Sequence, residues 1–337
     1  MDSTAEDRAF QLVSGFRSTQ MVRAVVQLGI PDLVAGGPRS ASDLADSTGV
    51  KAGPLRRILR CLVTLGVFTE TADGRFGATP VSECFRNLPG SQRGVALMLA
   101  TESYTVFGDL MHTLQTGEPA FERTFHMSRW EHLAQDPERA ALFNAAMQSR
   151  SEQVRGAVAT AYDFSGLRSI VDVGGGRGTL IAGLLKAHHH LHGTVFDLDA
   201  GLAETDAYLK EQGVRDRCAI VSGSFFETVP AGRDAYVLKS IVHDWNDERA
   251  TAILASCRKA MGAEARLILV EHVMPARAED SADSRRIFMD DVQMLAMLGG
   301  QERTEEEYAA LMRAAGLRLT RVLPTDSIFQ LIEGVPI

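Results

Sequence analysis

The residues whose types and spacing could do chemistry lie in the second half of this 337-residue chain. The β-branched stretch Ser169–Val173 runs into a glycine-rich turn and then into a stretch typical of a helix; the turn contains Gly174, Gly176 and Gly178. A buried strand that ends in glycines before a helix lets backbone amides approach a nucleotide closely. The spacing is G-x-G-x-G, so it matches neither the dinucleotide fingerprint G-x-G-x-x-G nor a P-loop.

A carboxylate ends the next predicted strand. Asp197 comes 23 residues after Gly174 (197 − 174 = 23), about the separation at which an acidic side chain accepts hydrogen bonds from a ribose diol. A glycine turn paired with such a carboxylate suits an adenosine ligand that lacks a pyrophosphate. S-adenosylmethionine (SAM) is therefore the leading candidate cofactor.

A candidate general base follows the fourth predicted strand, which ends at Lys239. The base is His243, because the ordinary pKa of histidine, near 6.5, leaves the ring largely neutral at physiological pH and able to take a proton. Glu271 and Glu302 fall where they could flank this ring. A carboxylate on Nδ1–H would fix the tautomer, leave Nε2 free as an acceptor and stabilise the imidazolium.

The remaining histidines and the cysteines do not indicate a metal site. His188, His189, His190 and His192 follow the first predicted helix of this region and are typical of an exposed loop, with no further ligand set beside them. No C-x-x-C pair occurs among the four cysteines, Cys61, Cys84, Cys218 and Cys257. This fits a reducing compartment and excludes a zinc ribbon, so we expect no metal ion.

Strands and helices alternate from residue 169 onward, which predicts a parallel, doubly wound α/β sheet. The expected strands lie near 169–173, 193–197, 218–222, 235–239 and 265–271. A helix from Thr304 to Ala315 and two further strands, near 317–323 and 328–333, end the chain. A C-terminal β-hairpin on a Rossmann-like sheet is the class I methyltransferase variant of this architecture.

The N-terminal region is predicted to be helical over residues 8–34, with Gly29-Ile30-Pro31 ending the helix and with an apolar face that packs either on its own core or on a partner. A capped helix at 40–49, a second helix from Leu55 to Leu65 and a small hairpin around Asp73-Gly74 follow. This is a winged-helix arrangement. Arginines on its second helix would suit DNA, but the net charge of −8 and the attached α/β region favour a dimerisation or lid domain.

Residues 91–161 are predicted to be helical throughout, linking the two regions and lining the site. They carry an aromatic-rich group that could form a pocket for a planar substrate or an ordinary half-buried core: Phe121, Phe125, Met127, Trp130 and His132. We expect three parts: a winged-helix-like dimerisation domain over 1–90, this helical linker over 91–161, and a SAM-binding catalytic domain over 162–337.

Composition sets the broad class. The chain is 45% apolar and 23% charged, as in ordinary soluble globular proteins, and it is acidic, so a nucleic-acid partner is not expected. The acidic N-terminus has no apolar segment typical of a signal peptide, and no window of 18 apolar residues predicts a membrane span. These features predict a cytoplasmic protein without a membrane partner.

Several of these motifs together resemble the SAM-dependent small-molecule O-methyltransferases, both the plant caffeic-acid type and bacterial relatives in antibiotic pathways. The matching stretches are Val171–Gly176, Leu238–Glu248, Leu269–Glu271 and Gly299–Thr304. With the winged-helix start, the resemblance covers nearly the whole chain.

The resemblance implies a role for each matching residue. It makes His243 the base, Glu271 and Glu302 the flanking carboxylates, Asp197 the ribose ligand and Lys239 a neighbour of the methionine portion of SAM. The family often has an aspartate where this chain has Ser224, so the contact to the adenine amino group differs here, while Phe225 can still stack on the ring.

The resemblance therefore implies a homodimeric SAM-dependent O-methyltransferase that acts on a hydroxyl of a small aromatic metabolite, in secondary metabolism. Two alternatives stay open at this point. One is methylation at nitrogen or carbon, or a relative that keeps SAM for another reaction. The other is a winged-helix regulator that binds SAM as an effector.

Overall fold

The computed structural model describes residues 4–337, which divide into two compact units. The first unit runs up to Thr105 and includes Glu138–Ser149. The second unit comprises Val106–Pro137 and Arg150–Ile337. The predicted linker region, 91–161, thus contributes residues to both units, and the division into 1–90, 91–161 and 162–337 stays a prediction.

The first unit is built mainly from helices. They are α1 (Ala5–Gln27), α2 (Ile30–Val34), α3 (Ala41–Thr48), α4 (Ala52–Thr64), α5 (Pro80–Glu83) and α6 (Arg93–Met98). A π-helical turn at Leu99–Ser103 and α7 (Tyr104–Val106) follow. The predicted helix over 8–34 is interrupted because Gly29 has a φ of 69°, a left-handed conformation that ends a helix cheaply only at glycine.

A small antiparallel sheet completes this unit. Its strands are β1 (Arg39–Ser40), β2 (Phe68–Glu70) and β3 (Arg75–Ala78), in the order β1-β3-β2. The expected hairpin is β2–β3, and β1 was too short to be predicted. Helices α3 and α4 precede the hairpin as expected, and their buried leucines share a core with Phe68 and Phe76.

Helices lead into the second unit's sheet. They are α8 (Leu110–Thr116), α9 (Ala120–Phe125), α10 (Arg129–Gln135) and α11 (Pro137–Ala161), the last of which spans residues of both units. The prediction that residues 91–161 are helical throughout is wrong, because the chain leaves the helical conformation between α8 and α9 and between α9 and α10. Glu118-Pro119 separates α8 from α9, because proline cannot continue a helix, and His126 turns the chain with a φ of 58°.

The remaining elements alternate. Strands are β4 (Ser169–Val173), β5 (His192–Asp197), β6 (Cys218–Ser222), β7 (Ala235–Lys239), β8 (Arg266–Glu271), β9 (Leu317–Thr325) and β10 (Ser327–Pro336). Helices are α12 (Thr179–Ala187), α13 (Asp199–Leu202), α14 (Thr205–Glu211), α15 (Asp247–Ala260), α16 (Ala282–Leu298) and α17 (Glu305–Ala314).

Within residues 4–337 these strands form a seven-stranded sheet in the order β6-β5-β4-β7-β8-β10-β9. The pairs from β6 to β8 are parallel, while β10 pairs antiparallel with both β8 and β9. Apolar side chains cover both faces of the sheet in two separate clusters, as a doubly wound sheet requires. The predicted class I methyltransferase fold with its C-terminal hairpin is confirmed.

Helix α1 carries exposed apolar side chains. The first half of α1 leaves Phe10, Leu12, Val13 and Phe16 at least half exposed, with exposed fractions of 51–79%. Apolar side chains this accessible on one helix are unusual unless something covers them. No helix within the described residues is long and apolar enough to cross a membrane.

Candidate active site

The residues singled out from the sequence converge at the carboxyl edge of the parallel sheet. Asp197 ends β5, the glycine turn follows β4, Lys239 ends β7 and Glu271 ends β8. These strands are adjacent in the order β5-β4-β7-β8. The topology therefore places along one edge the glycine turn, the carboxylates of Asp197 and Glu271 and the ammonium of Lys239. Open α/β sheets bind their ligands at this edge.

The glycine turn is shaped by conformations that favour glycine. Gly174, Gly176 and Gly178 have φ values of 72°, 52° and 86°. A Cβ on Gly174 would lie 2.5 Å from Ile241 Cδ1, so this glycine also allows the turn to pack against the segment after β7. The Gly174 amide donates to the Phe196 carbonyl at 2.8 Å, which fixes the turn on the neighbouring strand.

Asp197 is half-buried beside this turn. Its Oδ2 accepts from the Gly176 amide at 2.8 Å and its Oδ1 accepts from the Leu198 amide at 2.7 Å. Burial raises the pKa of Asp197, although both amides counteract the shift. Each carboxylate oxygen has a second lone pair, so the group can still accept hydrogen bonds from a diol.

Ser224 and Phe225 lie after β6, at the next position along the same edge. The Ser224 hydroxyl accepts from the Phe226 amide at 3.2 Å, and the ring of Phe225 comes within 3.7 Å of the Cβ position of Gly174. Phe225 also belongs to an aromatic group in which ring centroids lie 4.9–6.3 Å apart: Phe225, Phe226, Trp245 and Trp130. Ser224 and Phe225 therefore flank the glycine turn.

The aromatic residues predicted near the linker separate into two sets. Phe121 and Phe125 pack with Ala296 and Met297 of α16 in a small core, and His132 contacts both rings. Trp130 instead stacks on Trp245, which follows β7. Of the residues predicted from the linker, Trp130 is thus the one that joins the aromatic group near the glycine turn.

Lys239 ends β7 at a strained turn. Its ammonium donates to the Ser240 hydroxyl at 3.2 Å and lies 5.4 Å from the centre of the Phe329 ring. Ser240 has a φ of 53°, a left-handed conformation that costs a non-glycine residue free energy and is found most often at functional sites. Burial lowers the pKa of Lys239 to about 8.

His243 occupies the centre of a buried group of carboxylates. Its Nδ1 lies 2.8 Å from Glu302 Oε1 and 3.8 Å from Glu271 Oε2, and its Nε2 lies 3.5 Å from Asp244 Oδ1. The ring is 4% exposed. The sequence predicted the two glutamates beside the ring but not Asp244.

These carboxylates change the acid–base behaviour of His243. Burial alone would lower its pKa, but Glu302, Glu271 and Asp244 outweigh burial and raise it to about 10. The pKa near 6.5 that the residue type predicts is therefore wrong for this buried ring. Burial raises the pKa of Glu271 to about 7, whereas the interaction with His243 overcomes burial and holds the pKa of Glu302 well below its usual range.

Glu271 is held by the backbone that carries the histidine. Its Oε1 accepts from the Ile241 amide and from the Val242 amide, both at 2.9 Å. The side chain is fully buried, and its other oxygen, Oε2, has no hydrogen-bond partner among residues 4–337. Glu271 thus fixes the turn after β7 and directs a free carboxylate oxygen toward His243.

The segment that carries Glu302 is fastened to the His243 loop at several points. The Gln301 amide donates to the His243 carbonyl at 3.0 Å. Arg303 is fully buried and donates to the carbonyls of Val242 and Trp245, at 3.1 and 2.8 Å. Gly300 permits this approach, since a Cβ there would lie 2.1 Å from the His243 carbonyl oxygen.

The sequence did not single out three further groups at this edge, of which Asp172 and His272 are buried and Asp244 is half-buried. Asp172, on β4, is buried with its Oδ2 unpartnered among the described residues, and burial raises its pKa to about 7. Asp244 and His272 adjoin the proposed base and its glutamates. Asp172 and Asp244 lie within the matching stretches and His272 directly follows one, so only these positions could have pointed to them.

The group formed by His243, Glu271 and Glu302 is also the one set of metal-type donors found in the described part of the chain. Their donor atoms lie within 4.8 Å of one another. The close contact between Glu302 and Nδ1 is the arrangement of a histidine oriented for proton transfer. That no metal ion takes part stays a prediction.

Comparison with known proteins gives a consistent result. A family model described as the O-methyltransferase domain matches residues 107–318, and one described as the O-methyltransferase dimerisation domain matches residues 10–87. The chain is 41% identical to a phenazine O-methyltransferase of Lysobacter antibioticus, over 97% of this chain and 95% of that protein.

Two further relatives bear on cofactor and acceptor. An O-methyltransferase from neocarzinostatin biosynthesis, solved in complex with SAM and 2-hydroxy-5-methyl naphthoic acid, is 33% identical with a TM-score of 0.82, covering 95% of this chain and 96% of that one. An 8-amino-8-demethylriboflavin N,N-dimethyltransferase of Streptomyces davaonensis is 31% identical, over 98% of this chain and 96% of that protein.

Proposed function

Because this chain belongs to the O-methyltransferase family, for which SAM is the methyl donor, we propose that it methylates a hydroxyl of a small aromatic molecule, with His243 as the general base. The observation that carries the proposal is the buried His243 ring, whose Nδ1 lies 2.8 Å from Glu302 Oε1. Relatives act on phenazine and naphthoic acid compounds, so a planar polycyclic phenol of secondary metabolism is the proposed acceptor class.

His243 takes the proton that the acceptor must lose. Glu302 holds Nδ1, so Nε2 is the atom that receives the proton, and the imidazolium that forms lies among the carboxylates of Glu302, Glu271 and Asp244. A phenol has a pKa near 10, and these carboxylates raise the pKa of His243 to about 10. The carboxylates therefore stabilise the imidazolium, which favours transfer of the proton from a phenol to the neutral ring.

The residues at the edge of the sheet fit an adenosine ligand with a charged amino-acid tail. The glycine turn leaves backbone within reach of the ligand, since a Cβ on Gly176 would have only Asp197 as a neighbour, at 4.0 Å. We assign Asp197 to the ribose, Phe225 to the adenine ring, Ser224 to the adenine edge and Lys239 to the methionine portion. SAM itself supplies an electrophilic methyl group on a sulfonium leaving group, which requires no Lewis acid.

Replacement of Asp197 tests this cofactor assignment. In Asp197→Ala the charge-assisted hydrogen bonds to the ribose are lost, so S-adenosylhomocysteine should bind more weakly by about 1–3 kcal/mol in calorimetry. Asp197→Asn is the matched control, because it can still accept from the Gly176 amide while losing the charge. Unchanged affinity in Asp197→Ala would remove this residue from the site.

The exposed apolar side chains of α1 support a homodimer. They lie at the start of the region that matches the dimerisation domain of the family, residues 10–87. We assign residues 1–90 to dimerisation, 91–161 to the linker and 162–337 to SAM binding and catalysis. Arg60 of α4, one of the arginines that would suit DNA, pairs with Glu70 of β2 at 3.1 Å and so already has a protein partner.

Light scattering should give a mass near twice 36.6 kDa for the intact protein. The double replacement Phe10→Asp and Phe16→Asp should shift it toward the monomer, because each charge would be buried unpaired at the interface. Ile337→Asp, at an exposed apolar position outside residues 1–90, should leave the mass unchanged. A wild-type mass near 36.6 kDa would contradict the assignment.

The proposed reaction is tested by incubating the enzyme with SAM and a panel of planar acceptors that bear a hydroxyl, an amino group or neither, with and without a chelator. Product mass and NMR give the atom methylated. Methyl transfer to oxygen, insensitive to the chelator, is expected. Transfer only to nitrogen would overturn the assignment and match the reaction named for the flavin relative. A gel shift with random duplex DNA tests the regulator alternative.

A further inference from the structure

A second histidine shares the carboxylate that binds the proposed base. His272 directly follows Glu271, is 1% exposed, and places its Nδ1 at 3.3 Å from Glu302 Oε1. The same oxygen lies 2.8 Å from His243 Nδ1. Glu302 is therefore located between two imidazole rings.

The surroundings of His272 determine which ring nitrogen carries the proton. A second carboxylate, Asp290 on α16, lies 3.9 Å from the same Nδ1. A lone pair on Nδ1 would face two carboxylates, so Nδ1 must carry a hydrogen. The ring is fixed by stacking on Phe329, with centroids 4.4 Å apart, and Tyr308 donates to the His272 carbonyl at 3.2 Å.

The Nδ1 atom of His272 lies close to Glu302 Oε1 but makes no full hydrogen bond to it. The distance of 3.3 Å is longer than the 2.8 Å from His243 Nδ1 to the same oxygen, and both ring nitrogens of His272 lack a hydrogen-bond partner among residues 4–337. An unpartnered buried donor is costly, and catalytic hydrogen bonds commonly tighten only when the site is loaded. The donor of His272 is thus directed at Glu302 without satisfying it.

We propose that His272 is a positioning residue that acts through Glu302: it gives Oε1 a second donor, orients the carboxylate and weakens its hold on the proton of His243. This inference rests on the proposed function, in which His243 is the base. With two donors on one oxygen, Glu302 stabilises the His243 imidazolium less than it would alone. The base then returns its proton to solvent more readily after each turnover.

Other charged groups near the two rings must be kept constant in a test. Those facing His272 are Glu302 and Asp290, and Asp290 is itself paired with Arg150 at 3.3 Å. Lys239 lies near Phe329, on which His272 stacks. Those facing His243 are Glu302, Glu271 and Asp244. Replacing His272 alone leaves all of them in place.

The test compares His272→Phe, which keeps an aromatic ring for stacking on Phe329 but has no donor, with His272→Asn, whose amide can stand where Nδ1 stood. The pKa of His243 is measured directly by NMR of the full-length protein with ¹³C-labelled histidine, assigned from the spectrum of His243→Ala. In His272→Phe we expect this pKa to rise by about 1, because the N–H directed at Glu302 Oε1 from 3.3 Å no longer stabilises the charge of the carboxylate. His272→Asn should stay close to wild type.

Turnover provides the second readout. Below the pKa of His243, kcat/KM of His272→Phe should fall about tenfold and recover at higher pH, while His272→Asn follows the wild-type profile. A loss that is equal at every pH, with an unchanged His243 pKa, would show a merely structural role and overturn the inference. If His272→Phe fails to fold, His272→Met supplies a second donor-free side chain.

The two proposals can fail separately. If His272→Phe raises the His243 pKa but the wild-type pH profile shows no rise that depends on a histidine, the coupling through Glu302 is supported. The role of His243 as general base is then contradicted. If the wild-type pH profile shows a rise that depends on His243, and His272→Phe changes neither this rise nor the His243 pKa, the role of His243 as base is supported. The coupling through Glu302 is then contradicted. Thermal unfolding and S-adenosylhomocysteine affinity of both variants check that the fold and cofactor site are intact.

Discussion

His243→Ala should lose about 10²–10⁴-fold in turnover while its affinity for SAM changes little, because the variant lacks the group that takes the acceptor proton but keeps the cofactor residues. Single-turnover kinetics with saturating SAM measures the chemical step directly. His189→Ala, at an exposed histidine away from the strand ends, is the matched control and should retain wild-type turnover.

The role of His243 as base also predicts how kcat/KM of the wild type changes with pH. The carboxylates raise the pKa of His243 to about 10, and only the neutral ring accepts a proton. The neutral fraction therefore grows about tenfold per pH unit below that value, and wild-type kcat/KM should keep rising above pH 6.5 instead of levelling there. A plateau reached near pH 7 would contradict the role of Glu302, Glu271 and Asp244 in holding the proton.

Gly300→Ala should combine a large loss of activity with a loss of stability. The added Cβ would lie 2.1 Å from the His243 carbonyl oxygen and 2.6 Å from the Asp244 carbonyl carbon, both backbone atoms. The strain should lower the free energy of unfolding by about 1–3 kcal/mol. Moving His243 relative to Glu302 by even 1 Å should lower kcat by about 10²-fold.

Urea unfolding and turnover of Gly300→Ala are compared with those of Gly262→Ala. A Cβ on Gly262 would meet nothing within 4 Å, so this control introduces the same methyl group without a clash. The two variants should differ clearly in both measurements. Equal behaviour would mean that the loops carrying His243 and Glu302 are not held as closely as their contacts indicate.

The fold was predictable because its signals are local. Three strands have the predicted bounds, β4 (Ser169–Val173), β6 (Cys218–Ser222) and β7 (Ala235–Lys239), since buried parallel strands read as continuous apolar runs between turn residues. The linker was less predictable. Its π-helical turn and the break at Pro119 depend on tertiary packing and on a proline whose effect the overall helical pattern masked.

Site residues could be predicted only where they lie at or after the ends of predicted strands. His243, Glu271 and Glu302 could be grouped because parallel strands end at the same edge, but the pKa of His243 could not be obtained from residue types. It depends on full burial and on the distances to Glu302, Glu271 and Asp244. His272 was not predicted, because no feature of the sequence distinguishes a histidine next to a motif glutamate. Its role depends on the position of its ring beside Glu302.

The measurement that tests the central claim most directly is the dependence of the methyl-transfer rate on acceptor acidity, in wild type and in His243→Ala. Acceptors of similar shape whose hydroxyl pKa values span several units are compared at one pH under single-turnover conditions. If His243 removes the proton, the wild-type rate should depend weakly on acceptor pKa, while His243→Ala should recover selectively with the most acidic hydroxyls, which are already ionised. If every acceptor is slowed by the same factor whatever its pKa, His243 positions the acceptor and does not remove its proton.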